Sequence, residues 1–343
     1  MPLPGIVVGG DDASIRGEPM RAPSFVAAFV LASVSFAGAR AETYPSHPIT
    51  IIVPFPAGGP TDTLARIIGE RMKDTLGQPI IIESVTGAGA TIGVGRAIHA
   101  EPDGYTLSIG NWTSHVGAPV LYPVTWNVLA DFEPIARLSV STMMMVGKES
   151  LPAKNVNELI AWLKANPDKA SAGSVGSGSA AHICGLHFEQ QTSTKFQFVF
   201  YRGGAPAMQD LLGGQIDIMC AEASQTLMHV RAGKIKAFAV MSKTRWSPLP
   251  DVPTMDELGV SGMEISFWHG LWAPKGTPKE VIATLNDAVV KAFDDPMVRK
   301  RITDLGQVIP PKDQLTPKAL YNFHKAETAK WWPIIKAAGI KTQ

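Results

Sequence analysis

From residue 42 onward, short runs of β-branched residues alternate with stretches whose apolar side chains recur every three or four positions, and glycine-rich turns join the two. That alternation leaves few architectures open. Strands separated by helices pair parallel and connect by right-handed crossovers, with helices covering the sheet faces. Ile49-Thr-Ile-Ile-Val53 has no polar/apolar alternation and reads as a strand covered on both faces. Pro54-Phe-Pro-Ala-Gly-Gly-Pro60 must turn, and Thr61 or Asp62 caps a helix whose apolar face is Leu64, Ile67, Ile68 and Met72. Gly77-Gln-Pro79 closes that helix and Ile80-Ile-Ile82 is the next strand. Gly87-Ala-Gly89 opens another helix, and Tyr105-Thr-Leu-Ser-Ile109 is a third strand.

A second unit of the same kind begins after Leu151-Pro-Ala-Lys-Asn155. Helices are expected over 157–165, from 180, and over 205–212 and 226–232; strands are expected at 170–175, 196–200, 215–219 and 235–240. Pro248, Pro250 and Pro253 mark a loop. From Lys279 only helices follow, over 279–293, 296–305 and 317 to about 338, and helices without strands of their own need an existing sheet to pack on. The C-terminal section is therefore expected to return to the first unit. The result is an α/β fold of two discontinuous lobes, each a mainly parallel sheet flanked by helices, hinged at crossing segments near 133–147 and 262–274. The expected division is 42–142 with 265–343 for one lobe and 143–264 for the other. Ligands in such folds sit beyond the carboxyl ends of the strands.

With 343 residues, 45% hydrophobic, the chain is long enough for two cores. Its 31 Lys and Arg balance 30 Asp and Glu, so no strong field exists for a nucleic-acid backbone or an anionic membrane. Between Arg21 and Arg40 no residue is charged, and Ala39-Arg40-Ala41 has the small-x-small pattern of a signal-peptidase site. The apolar centre of that stretch, 25–32, is shorter than the roughly 20 residues that cross a bilayer. A cleavable export signal is expected rather than an anchor or a buried helix. Asp11, Asp12 and Glu18 make residues 1–19 acidic for the basic end of such a signal, so the expected start is Met20 and the expected mature chain begins at Glu42, in the periplasm. No other segment is apolar enough to cross a membrane. The two cysteines, Cys184 and Cys220, do not make a disulfide scaffold; a bridge is open to them in an oxidising compartment, but two buried free thiols are the expected state. No CxxC or HxxxH spacing supports a metal site, and no cofactor is expected.

Four glycine-rich turns stand where a strand meets a helix: Ala57-Gly58-Gly59, Gly87-Ala88-Gly89, Gly176-Ser177-Gly178-Ser179 and Arg202-Gly203-Gly204-Ala205. Glycine lets a ligand approach the backbone, and the free N–H groups of a helix N-terminus favour an anion. One such turn alone is usually just a turn; four from two lobes suit a carboxylate held in a cleft. Phe55, Trp112, Tyr201 and Trp268 are candidate walls, although buried aromatics more often belong to a core. Pro56, Thr61 and Asn111 complete the candidate set. Asp62 and Glu222 stand beyond strand ends; a helix-capping role is expected for Asp62, whereas Glu222 has no preferred role. His182 faces the cleft or packs locally.

Two enzyme readings fail on spacing. Gly176-Ser-Gly178-Ser-Ala-Ala181 fits the relaxed dinucleotide fingerprint, but the acidic residue expected about 20 positions on is missing. A serine hydrolase needs G-x-S-x-G, and Val175 and Ala181 take the outer positions of that frame around Ser177 and Ser179.

The set Pro54-Phe-Pro-Ala-Gly-Gly-Pro-Thr-Asp62, Gly87-Ala-Gly89, Pro102-Asp-Gly-Tyr-Thr-Leu107, Gly176-Ser-Gly-Ser179, Tyr201-Arg-Gly-Gly-Ala-Pro-Ala207, Leu211-Leu-Gly-Gly-Gln-Ile-Asp217 and Ala273-Pro-Lys-Gly-Thr-Pro278 resembles the extracytoplasmic receptors of tripartite tricarboxylate transporters, the Bug or TctC type. The likeness runs in order from Tyr44 to Ile340. It implies a type II periplasmic-binding-protein fold and a non-enzymatic, monomeric receptor. Such a receptor passes a small carboxylate (a di- or tricarboxylate, an acidic amino acid or an aromatic acid) to a large and a small membrane subunit. It also implies that the loop Phe55–Asp62 and the turn at Gly87 hold one carboxylate, while Ser177–Ser179 and Gly203–Ala205 hold the other end. Two stretches depart from the family pattern: Glu83-Ser-Val-Thr86 replaces a usual Glu-Asn-Arg-Pro, and Cys220-Ala-Glu222 stands where Phe followed by Asp or a small residue is common. A sensor feeding a signalling kinase is the alternative with the same fold, and a secreted hydrolase is the weaker one.

Overall fold

The first strand, β1 (Ile49–Val53), has parallel partners on both sides, β2 (Ile80–Ser84) and β3 (Thr106–Asn111). The computed structural model describes residues 43–340 apart from 168 and 338; the expected export signal and the start at Met20 lie outside the described residues. The crossovers are helices α1 (Pro60–Leu76) and α2 (Thr91–Ile98). Beyond β3 the chain enters a π-helical turn (Thr113–Gly117) and a short helix α3 (Ala118–Leu121), which the sequence pattern did not announce. Tertiary packing fixes this segment: Trp112, just before the turn, meets Trp331 edge-on, and His115 within it stacks on Trp272 at 3.9 Å.

The organising element is β4 (Phe132–Lys148), a 17-residue strand and, at about 3.3 Å per residue, one that runs for roughly 55 Å. Its first part, Phe132 to Thr142, pairs antiparallel with β9 (Ser266–Pro274). From Met143 it leaves β9 and takes two antiparallel neighbours, β7 (Ile218–Glu222) and β8 (Ile235–Val240). The run Met143-Met-Met-Val146 is buried on both faces. Strand alternation sends Met143 and Met145 into one core, and Met144 and Val146 into another. That is why the segment is continuously apolar rather than alternating.

The remaining elements are α4 (Val156–Ala165), β5 (Ser171–Ser174), α5 (Ala180–Thr192), β6 (Gln197–Phe200), α6 (Gly204–Leu212) and α7 (Ala223–Arg231), with β5 parallel to both β6 and β7. The strand order is β2-β1-β3-β9-β4-β7-β5-β6, with β8 on β4. The βαβ units supply the parallel pairs. The long strands β4 and β9 add antiparallel ones, so the whole sheet is mixed. The strand expected at 215–219 begins three residues later, because the Gly213-Gly214 turn continues until Asp217 anchors it by accepting from Ser171 N–H at 2.8 Å. Glu222 consequently ends the strand instead of lying beyond it.

The C-terminal helices α8 (Lys279–Asp294), α9 (Pro296–Asp304) and α10 (Pro317–Ala337) return as expected, α8 and α9 onto α1, and α10 onto β4 and the π turn. In α8 the residues Ile282, Leu285, Val289 and Phe293 share one face and are buried. Deleting a side chain such as Leu285 would cost about 2–5 kcal/mol.

The expectation of two free thiols is overturned. Cys184 on α5 and Cys220 on β7 form a disulfide. Packing of α5 on β7 sets their Cα atoms 6.2 Å apart, within bridging range, across a sequence separation of 36 that no local pattern reveals.

Candidate functional site

A cavity of about 50 Å³ lies where the carboxyl ends of β1, β3, β5 and β7 face one another, room for several water-sized groups. Phe55, Pro56, Gly59 and Thr61 line it from the β1–α1 turn, and Asn111 and Thr113 from the end of β3. Opposite stand Ala180 and Ala181 at the start of α5, Gly204 at the start of α6, and Glu222 and Gln225 from β7 and α7. Met143, Phe267 and Met219 make its apolar wall. Four helix N-termini, those of α1, α5, α6 and α7, therefore reach one small space, and each presents N–H groups without intrahelical partners. No Lys, Arg or His is among the lining residues.

The cavity is closed by contacts between its two sides. A Cβ on Gly203 would run into the Pro56 ring, and one on Gly117 into the Gly178 carbonyl. Ala180 N–H donates to Thr113 Oγ1 at 3.2 Å. Gly178 sits at φ 72°, a conformation that favours glycine, with the Leu121 side chain against it. A side chain at either Gly178 or Gly203 would hold the two sides apart.

Thr61 is fixed from behind by a buried polar chain. Its Oγ1 accepts from Asn111 Nδ2 at 3.0 Å and meets His269 Nε2 at 3.1 Å, while His269 Nδ1 meets Ser139 Oγ at 3.1 Å. Burial drives the His269 imidazole down to about 3, so it is neutral and shares one N–H along the chain. The expected cap by Thr61 or Asp62 is not formed, because α1 begins at Pro60 with Gly59 as its N-cap and both residues lie within the helix. Asp62 instead ties the loop down by accepting from Gly58 N–H at 2.9 Å and from both Arg66 donors at 2.9 Å.

The sequence-selected residues separate into two groups. Phe55, Pro56, Gly59, Thr61, Asn111, Gly204 and Glu222 meet at the cavity. The others stand around it. Ala57 is exposed, and Gly58 and Ala205 face a neighbouring surface hollow. Gly87 and Gly89 form the turn that approaches Gly176. Ser177 and Gly178 belong to the turn that closes the rim. Ser179 caps α5: its hydroxyl accepts from His182 N–H at 3.2 Å and meets Ser174 Oγ at 3.1 Å. His182 packs edge-on against Phe198 and Phe200 and accepts from Gly178 N–H, and burial lowers it to about 4. Tyr201 donates to Asp210, Trp112 is core, and Trp268 donates to Glu327 Oε2 at 3.1 Å. Sequence reasoning missed Thr113, Gln225, Phe267 and His269. A histidine in an otherwise apolar strand was the only local sign of the last; the others come from elements whose ends were misplaced or unread.

Among the described residues no group of three or more His, Cys, Asp or Glu is placed to hold a metal, and no helix is long and apolar enough to cross a membrane. The fold and the cavity define a two-lobed solute-binding protein of the periplasmic type. Residues 64–340 match the family described as the tripartite tricarboxylate transporter family receptor, TctC, and the chain belongs to that family. It is a family of binding receptors, not of enzymes. Protein BugT of Bordetella pertussis is 32% identical over 317 residues, 91% of this chain and 96% of that protein. Among solved structures, the periplasmic binding protein BugD superposes with a TM-score of 0.83 at 38% identity, covering 88% of this chain and all of its own (100%). MatC of Rhodopseudomonas palustris, solved with bound malate, gives 0.82 at 36% identity over 85% of this chain and 100% of its own. An R. palustris protein solved with adipate gives 0.82 at 29% identity over 87% and 99%.

Proposed function

We propose that this chain is an extracytoplasmic receptor that captures a small carboxylate in the cavity between its lobes and delivers it to the membrane subunits of a tripartite tricarboxylate-type transporter. The observation that carries the reading is the meeting of four helix N-termini in one enclosed, cation-free space, which suits an anion held by backbone N–H groups. Relatives of the same fold were solved with malate and with adipate, both carboxylates. One lobe comprises 42–142 with 265–343 and the other 143–264, and closure bends β4 near Thr142 and Met143, where the strand exchanges β9 for β7 and β8. Binding is reversible and involves no bond making. The mature chain starts at Glu42 and works in the periplasm.

The test is a thermal-shift screen of residues 42–343, refolded to remove carried-over ligand, against di- and tricarboxylates, acidic amino acids and aromatic acids. A ligand at about 100 times its Kd adds roughly 2.7 kcal/mol and raises the melting temperature by several degrees. No shift with any carboxylate would overturn the reading.

A further inference from the structure

Glu222 ends β7 and immediately precedes α7, and it is only 5% exposed. Its Oε1 accepts from Gln307 Nε2 at 3.0 Å. Its Oε2 is buried and has no partner among the described residues. Gln225, three residues on in α7, has its Nε2 buried and equally without a partner. Both side chains line the cavity, whose other walls near them are apolar or disulfide-bonded: Met219, Cys220, Ala221 and Phe267. A buried acceptor and a buried donor, both without partners among the described residues, thus belong to two side chains that line the ligand space. Leaving such groups unmade is costly, and the cost falls on whatever occupant fails to satisfy them.

We propose that Glu222 and Gln225 select, among small carboxylates, those that carry an O–H or N–H donor next to the carboxylate, such as hydroxy or amino acids, over their unsubstituted parents. The inference rests on the carboxylate-capture reading and names the ligand class within it. A hydroxyl or ammonium on the carbon beside a carboxylate presents a donor to Glu222 Oε2, and the adjacent carboxylate oxygen accepts from Gln225 Nε2. An unsubstituted chain instead sets a CH₂ against Oε2, leaving it without a partner and its charge facing the charge of the ligand. With no Lys, Arg or His in the lining, no side-chain cation of the cavity wall relieves that repulsion. Burial pushes the Glu222 carboxyl up to about 7 against the pull of Ser224, Gln307 and Ser141, so it acts as an ionised acceptor only above that pH.

The experiment is isothermal titration of residues 42–343 at pH 8 with three matched sets: succinate, malate and aspartate; glutarate, 2-hydroxyglutarate and glutamate; 3-phenylpropionate, phenyllactate and phenylalanine. In at least one set the hydroxy or amino member should bind tighter than its parent by about tenfold or more, the scale of a satisfied buried hydrogen bond. Glu222→Met, of similar length but without an acceptor, should collapse that preference to within about threefold. Glu222→Gln should abolish a preference for an ammonium and retain part of one for a hydroxyl, which distinguishes the two donors. Parents that bind as tightly as their substituted partners, or a preference that survives Glu222→Met, would overturn the inference while leaving carboxylate capture standing. Failure of every carboxylate to bind would overturn both. The wild-type comparison decides the matter even if the variants do not fold.

Discussion

Thr61 Oγ1 lies 3.1 Å from His269 Nε2, which joins the first turn of α1 to β9 beneath the cavity. These residues are 208 positions apart, and both are buried. The pair makes the cavity wall depend on a strand from the C-terminal part of the chain. His269→Ala should strand Thr61 and Ser139, lowering stability by about 1–3 kcal/mol as buried hydrogen bonds are lost. It should also weaken ligand binding, because Thr61 lines the site. Urea denaturation and calorimetric titration measure the two effects. Unchanged affinity in a destabilised variant would limit His269 to a structural part.

The rim makes a different prediction. Gly203 is extended, so a side chain there strains nothing locally, but its Cβ meets the Pro56 ring. Gly203→Val should therefore oppose closure more than folding. Ligand affinity should fall about tenfold or more, while the melting temperature without ligand changes little. Equal loss of both would mean that the contact is needed for the fold itself.

The disulfide ties α5 to β7, two elements whose ends line the cavity. Loop-closure entropy for a separation of 36 residues sets its contribution at about 3–4 kcal/mol. The double variant Cys184→Ser with Cys220→Ser should lower the denaturation midpoint accordingly, and dithiothreitol should do the same to wild type but nothing further to the variant.

Stability should fall on acidification. Burial lowers His182 to about 4, His269 to about 3 and His324 to about 4, and drives His115 well down too. The unfolded chain takes up those protons near its ordinary value of 6.5, so their contribution is complete above that pH and is lost as pH drops below it. Glu222, pushed up to about 7 by burial, and Glu327, also raised by burial, work the other way, since their contribution is full below 4.5 and is lost as pH rises. The histidines outnumber the two carboxyls, so the urea midpoint near pH 5 should lie below that near pH 7.5. A midpoint that rises on acidification would show that some of these histidines are charged in the folded protein.

Much of this molecule was legible along the chain. The β-branched runs at 49–53 and 235–240, the helical spacing through Leu64, Ile67, Ile68 and Met72, and the strand-free C-terminal stretch follow from local propensity and periodicity, which act within one element at a time. The glycine turns marked where helices begin, and three of those beginnings, α1, α5 and α6, surround the cavity. What depends on distant partners was not legible. Asp217 moved the start of β7, and with it Glu222, through bonds to Ser171, 46 residues away. Gln225 and Phe267 reach the cavity because their elements cross it, His269 because Thr61 needs a partner, and Cys220 meets Cys184 because α5 lies on β7. Local sequence determined which segments are strands, helices and anion-suited turns, since those preferences arise from backbone sterics and nearest neighbours. Tertiary structure decided which turns share one space and which side chains face it, because burial and hydrogen-bond satisfaction are properties of surroundings that exist only once the chain has closed on itself.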